Sequence, residues 1–211
     1  DLYDKCPFGA GFFAYRSSED TAATMEAIGK ASDLPPLGCA DLVNGAGSRL
    51  EGCTLFPWQM AVGAADSEEL AERMGIATAV EGRRAGLHWT FGPIVDLSIN
   101  KENSMMHTRT FGVDPDHVLR MSRAFVRGVQ TDRRMAATAK HFPGDGVDDR
   151  DSHVCTSINP LGRDDWYESF GKVWSGLLDD VYCVMSGHIG LSWIDPGTNY
   201  LGPPPATLSR K

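Results

Sequence analysis

Met135-Ala136-Ala137-Thr138-Ala139-Lys140-His141-Phe142-Pro143-Gly144-Asp145-Gly146 is a β-like run that ends in a Lys-His pair and a Gly/Pro turn. Asp151-Ser152-His153 follows shortly after. The run predicts a strand, and the turn predicts a loop directly behind it. In a locally extended segment, residues i and i+2 point the same way. Read so, Asp151 reaches one ring nitrogen of His153 and leaves the other free to move a proton. That is the arrangement of an oriented general acid/base.

Outward from this strand, strand and helix alternate along the chain. Gly9–Tyr15 reads as a first strand and Ser18–Lys30 as a helix. Pro36–Leu42 is a second strand, with a Gly-rich loop Asn44-Gly45-Ala46-Gly47 behind it. Asp66 is placed to cap a long helix, with Glu69 completing a capping box and Leu70, Met74, Ala77 and Val80 at helical spacing. Leu87–Leu97 is a third strand region, interrupted by Gly92-Pro93. Asp114-Pro115 starts a helix whose buried face is Val118, Met121, Phe125 and Val129. Arg163–Leu178 predicts a further helix, and Val181–Ile189 a fifth strand that is almost wholly apolar. Thr207 or Ser209 reads as the cap of a helix that barely starts.

This pattern predicts an α/β fold with a parallel sheet, of the (β/α)8 TIM-barrel type. Asp41, Asp96, Lys140-His141 and His188 all follow strands, where such a fold builds its site. About five βα units are present, whereas closure needs eight strands and a barrel usually takes ~250 residues. Residues 1–211 are therefore read as one barrel domain, truncated at the C-terminal end. The absence of an initial Met leaves open a missing or processed N-terminus. An open barrel would expose unpaired strand edges.

The bulk numbers narrow the function. A chain of 211 residues, 42% hydrophobic and 23% charged, suits a globular domain. A net charge of −8 argues against a general nucleic-acid binder. No apolar run approaches the ~18 residues of a membrane span, and no signal-peptide pattern opens the chain. Cys6, Cys39, Cys53, Cys155 and Cys183 form no C-x-x-C pair and read as buried free thiols in a reducing compartment, with the cytoplasm as the default. The oligomeric state is not legible.

The ordered motifs resemble glycoside hydrolase family 3, in its β-N-acetylglucosaminidase branch. Lys140 to Gly146 with Asp151-Ser152-His153 resembles the family's KHFPGxG…DSH. Thr54-Leu55-Phe56-Pro57 resembles its T-x-F-P, and Gly92-Pro93-Ile94-Val95-Asp96 its x-P-V-x-D. Arg109 to Pro115 resembles R-[ST]-F-G-x-D-P, and Met185 to Ile189 resembles M-x-x-H-I. Two departures stand out. The family's D-x-E-G-G-x-V is replaced by Asp41-Leu42-Val43-Asn44-Gly45-Ala46-Gly47-Ser48-Arg49, which keeps the Asp and an Arg. The family's aspartate nucleophile comes after a P-A-T-L-S motif, and Pro205-Ala206-Thr207-Leu208-Ser209 is where these residues stop.

The resemblance implies a retaining glycosidase that removes terminal β-linked N-acetylglucosamine and needs no cofactor or metal. His153 would be the general acid and then the base, with Asp151 orienting it. Asp41, Arg109, Lys140, His141 and His188 would contact the sugar. Asp96 is read as structural, supporting Arg109 or Lys140, and Asp145, Asp148 and Asp149 as a solvated acidic loop. Alone, each of these has a plainer reading: a loop hydrogen bond, a capped strand end, a surface arginine. Retaining glycosidases commonly pair two carboxylates roughly 5–5.5 Å apart. A neutral imidazole in place of one of them removes an anion, so phosphate could enter as acceptor and phosphorolysis becomes an alternative. A catalytically inactive sugar binder is another. A metal-dependent hydrolase is a third rival, although no H-x-H or H-E-x-x-H spacing occurs.

Overall fold

A computed structural model describes residues 8–197 and 202–211; Cys6 lies outside them. The principal sheet holds β1 (Ala10–Phe12), β3 (Leu37–Ala40), β5 (Trp89–Thr90), β6 (Ala136–Phe142) and β8 (Cys183–Ser186). The order is β1-β3-β5-β6-β8, and every neighbouring pair is parallel. Chain order and spatial order thus coincide, as in the wall of a βα barrel, and the wall is open. Two small parallel pairs flank it: β2 (Arg16–Ser17) with β4 (Leu50–Glu51), and β7 (Ser157–Asn159) with β9 (Ile189–Leu191).

The helices are α1 (Ser18–Lys30), α2 (Gln59–Ala64), α3 (Glu68–Arg84), α4 (Pro115–Gln130), α5 (Arg163–Glu168) and α6 (Phe170–Leu177). Their starts follow from capping. Ser17 accepts from the Asp20 N–H at 3.0 Å, and Asp114 accepts from the His117 N–H at 2.8 Å with Pro115 behind it. For α3 the cap is Ser67, which accepts from the Leu70 N–H at 3.3 Å. Asp66 is therefore not the cap, and the predicted capping box does not form. Asp66 has a left-handed backbone (φ 49°) and pairs with Arg120 at 2.5 Å.

α3 and α4 pack closely, and glycines set the approach. A Cβ on Gly75 would lie 2.3 Å from the Phe125 carbonyl oxygen, and one on Gly128 would lie 2.1 Å from that of Glu72. Met74, Met121, Phe125 and Val129 fill the core against Leu42, Leu97 and the small Ala137 and Ala139 of β6. Small residues on that strand let the helix layer sit close to the sheet.

Several predicted elements are shorter than read: the first strand is Ala10–Phe12 and the second Leu37–Ala40. The third strand region keeps only Trp89–Thr90, with Ile94 bridging to Lys140 after the Gly92-Pro93 interruption. The helix over 163–178 breaks at Ser169 (φ −110°, ψ −95°) into α5 and α6. The fifth strand ends at Ser186, and Ile189 opens β9 in a different pair. The tail makes one turn on Pro205; Thr207 bonds His188, while Ser209 donates to Asp195 and accepts from the Lys211 N–H at 3.3 Å, and residues 205–211 form no helix. The cysteine reading holds in part: the four described cysteines are free, yet Cys39 is buried and Cys155 is exposed.

β1 and β8 are the outer strands of the principal sheet among the described residues. Phe12 on β1 is 53% exposed and Val184 on β8 is 42% exposed. Gly128→Ala should destabilise the fold by about 1–3 kcal/mol through overpacking. That loss should outweigh the ~1 kcal/mol of helix propensity that alanine adds. Urea unfolding checks it, and a stabilised variant would refute the close-approach argument.

Candidate active site

The carboxyl-terminal ends of β3, β6 and β8, with residues 105–109 from the segment after β5, converge on one cavity of about 220 Å³. Asp41, Arg109, Lys140, His141, His153 and His188 all line it. Six of the seven residues singled out by sequence are thus brought together, and Asp151 is bonded to one of them. A larger cavity of about 680 Å³ lies on the outer face of α2 and α3, walled by Phe56, Leu70, Met74 and Val80. It is mostly apolar and has no comparable set of convergent polar groups, so the smaller cavity is the candidate site.

Lys140 is 3% exposed and donates to Asp41, whose side chain is 25% exposed. Burial pushes the Lys140 ammonium below its ordinary range, Asp41 works the other way, and Arg109 adds to the lowering. Asp41 is fixed from behind, because Ser48 donates its hydroxyl to the Asp41 carbonyl at 2.9 Å. The loop that departs from the family pattern folds against Thr54–Phe56, with the Phe56 N–H bonded to the Asn44 carbonyl at 2.9 Å. It returns Arg49 to within 3.7 Å of Asp41. Arg49 was not singled out from sequence; its separation from Asp41 concealed the contact.

His141 is held by Asp96, which is fully buried. The His141 N–H lies 3.2 Å from both Asp96 carboxylate oxygens, and His141 Nδ1 lies 2.7 Å from Oδ2. Asp96, read as supporting Arg109 or Lys140, bonds His141 instead. An imidazole Nδ1 that faces a carboxylate carries the proton there, which leaves Nε2 as the face for a ligand. Arg109 is anchored through its guanidinium to the Met105 carbonyl at 3.2 Å. His188 is exposed and bonds Thr207 at 3.0 Å through Nδ1.

The Asp151–His153 pair exists, but an extended segment does not make it. Residues 152–154 form a turn. Asp151 Oδ1 accepts from the His153 N–H at 2.8 Å and meets His153 Nδ1 at 2.8 Å. The Asp151 carbonyl also accepts from Val154 and Cys155. This is an Asx-type turn, in which one carboxylate satisfies backbone and ring together. The His153 N–H and its ring, with Arg109 nearby, hold the Asp151 carboxyl below the usual range. His153 is 72% exposed, so it stands at the rim of the cavity.

The acidic-loop reading is corrected. Asp145 is 2% exposed, and burial, then the charge of Asp96, push it up to about 6. Asp148 accepts from the Ile158 N–H at 2.6 Å and pairs with Arg150. Although burial opposes it, Arg150 and these backbone bonds hold Asp148 well below the carboxylate range. Only Asp149 is a solvated acid. Asn103, buried beneath the loop, was also missed, since a lone Asn in a loop carries no sequence signal. Among the described residues, no three of His, Cys, Asp or Glu converge where a metal ion would sit. Among them also, no helix is long and apolar enough to cross a membrane.

Fold and site define a parallel βα-barrel domain with a histidine–aspartate pair poised over a polar cavity. The chain belongs to glycosyl hydrolase family 3: the family's N-terminal domain matches residues 10–211. A β-N-acetylglucosaminidase/β-glucosidase of Cellulomonas fimi is 37% identical over 176 residues, covering 83% of this chain and 31% of that protein. The solved β-glucoside phosphorylase BglX superposes with a TM-score of 0.90 at 34% identity, over 95% of this chain and 38% of that one. A family 3 β-N-acetylglucosaminidase from Paenibacillus sp. gives 0.85 at 29% identity, over 95% and 39%. The chain therefore spans about a third of the length of these relatives.

Asp41→Asn should cost on the order of 3 kcal/mol, because it strands a buried ammonium. Lys140→Met should cost less, since the partly exposed Asp41 is then free to hydrate. Denaturant unfolding of both variants measures the difference, and equal costs would contradict the asymmetric burial.

Proposed function

We propose that the protein carrying this chain removes terminal β-linked N-acetylglucosamine with retention of configuration. The observation that carries the reading is the Asp151–His153 pair at 2.8 Å, standing over a cavity that Asp41, Arg109, Lys140, His141 and His188 line. The names of the Cellulomonas and Paenibacillus relatives support the same substrate class.

In this reading His153 protonates the leaving glycosidic oxygen and later deprotonates the acceptor that releases the sugar. Asp151 fixes the tautomer and stabilises the imidazolium. Lys140, His141 and Arg109 donate to sugar hydroxyls, Asp41 accepts from one, and His188 borders the opening. A carboxylate attacks the anomeric carbon, and the glycosyl ester is then opened by water. By the resemblance, that carboxylate would follow Pro205-Ala206-Thr207-Leu208-Ser209 on a later strand. We read residues 1–211 accordingly as the greater part of one barrel domain.

Phosphorolysis is the second reading, favoured by the likeness to a solved β-glucoside phosphorylase. A neutral imidazole leaves room for an anionic acceptor where a second carboxylate would repel it. Arg109, at the same cavity, adds positive charge.

In the intact protein, His153→Ala should slow turnover of natural linkages by about 10²–10⁴-fold, the usual worth of a general acid. A substrate with a good leaving group should lose far less. Equal losses on both would remove the acid role. Release of the sugar 1-phosphate in phosphate buffer would identify phosphorolysis, and retained sugar binding without turnover an inactive binder.

A further inference from the structure

The loop between β6 and β7 carries His153, and its root is seated through a carboxyl that the proton-transfer scheme does not use. Asp145 Oδ1 accepts from the Gly146 N–H at 2.6 Å and from Asn103 Nδ2 at 3.2 Å. Its Oδ2 is buried with no partner among the described residues. Its backbone N–H donates to Asp96 Oδ1 at 2.7 Å. Asp96 is the same carboxylate that orients His141.

Asn103 extends this cluster to the cavity wall. Its Nδ2 also donates to the Asp148 carbonyl at 2.6 Å, and its Oδ1 accepts from the N–H groups of Met105 and Met106 at 3.0 and 2.6 Å. Both methionines line the cavity. Asn100 adds two bonds, to Gly146 and Val147, at 2.9 and 3.0 Å. Gly146 has φ +105°, and a Cβ there would lie 1.9 Å from the Leu97 carbonyl oxygen. The root of the loop is therefore pinned against residues 97–106, while its tip bears the exposed His153.

An asparagine at position 145 would accept the same two bonds without bringing a second charge beside Asp96. A buried carboxyl oxygen left unpaired is costly, and such costs concentrate where function requires them. We propose that Asp145 is a positioning residue: its backbone N–H is bonded to Asp96 while its carboxyl, beside that same charge, holds Gly146 and Asn103, so it couples the seating of the loop that carries His153 to the setting of His141 in the cavity. The catalytic consequence rests on the glycosidase reading; the coupling does not.

The protonation state sets the direction. Among the described residues, Asp96 and His141 are the titratable groups that face Asp145, and Asn103 is neutral. Below about 6 Asp145 is neutral and the root is seated against Asp96. A carboxyl raised in the folded state contributes stability that is full at low pH and is lost as pH rises through its folded value. Above it, two carboxylates repel inside one buried cluster and the root loosens.

The test is amide hydrogen exchange over residues 144–155 of the intact protein at about pH 5 and 7.5, corrected for intrinsic rates. In the wild type, protection should fall about tenfold between the two, a local opening of that segment. Asp145→Asn should abolish this pH response. Asp145→Ala should lose protection at both pH values and lower kcat about fivefold on a natural linkage with KM nearly unchanged. Asp145→Asn should restore that kcat. A pH response shared by wild type and Asp145→Asn would overturn the proposal, as would an Asp145→Ala loss confined to KM. If the intact wild type releases no sugar, the glycosidase reading fails while the exchange result still decides the coupling.

Discussion

One buried carboxylate organises the site. Asp96 leaves the third strand region with no exposed surface and takes three N–H groups: the backbone and ring of His141 and the backbone of Asp145. Each donor belongs to a different task. The ring faces the cavity, the His141 backbone closes the end of β6, and Asp145 begins the loop that reaches His153. A buried anion without such donors would be driven out or protonated. The strand, the loop and the cavity thus keep their relation because one charge must remain solvated by protein.

Much of this was legible in the sequence. The order of the parallel strands comes from the βα alternation, since right-handed crossovers leave few other topologies. The residues at the strand ends, Asp41, Lys140, His141 and His188, were found because a barrel gathers the residues at the carboxyl ends of its strands into one mouth. The features that were not legible depend on long-range placement. Asp145 sits in a Gly-rich, acidic stretch that reads as solvated, and only the packing of residues 97–106 over it makes it a buried group. Asn103 acts through contacts that no local pattern marks, and Arg49, legible only as the arginine its loop keeps, meets Asp41 through the folding of that loop. The cap of α3 moved one residue because Arg120 draws Asp66 into an ion pair, leaving Ser67 to satisfy the helix end. Val181 to Ile189 reads as one apolar strand, yet Ile189 pairs with Ser157 instead of extending β8, a partner far away in sequence.

The helix layer and the site answer to different forces. α3 and α4 approach on reciprocal glycines and large apolar side chains, so their contact is governed by volume. The cavity is governed by charge: a buried ammonium against Asp41, a guanidinium at its edge, and the imidazoles of His141 and His153 set by carboxylates. The small alanines of β6 mediate between the two, facing the helices while Lys140 and His141 crown the strand.

The histidine–aspartate pair is assembled within three consecutive residues, by a turn that draws on nothing from the sheet. Such a unit is portable. Among the described residues, the Asp151 carboxylate bonds the backbone and ring of His153 alone. The pair's geometry therefore depends on the local turn and not on the length of the loop around it.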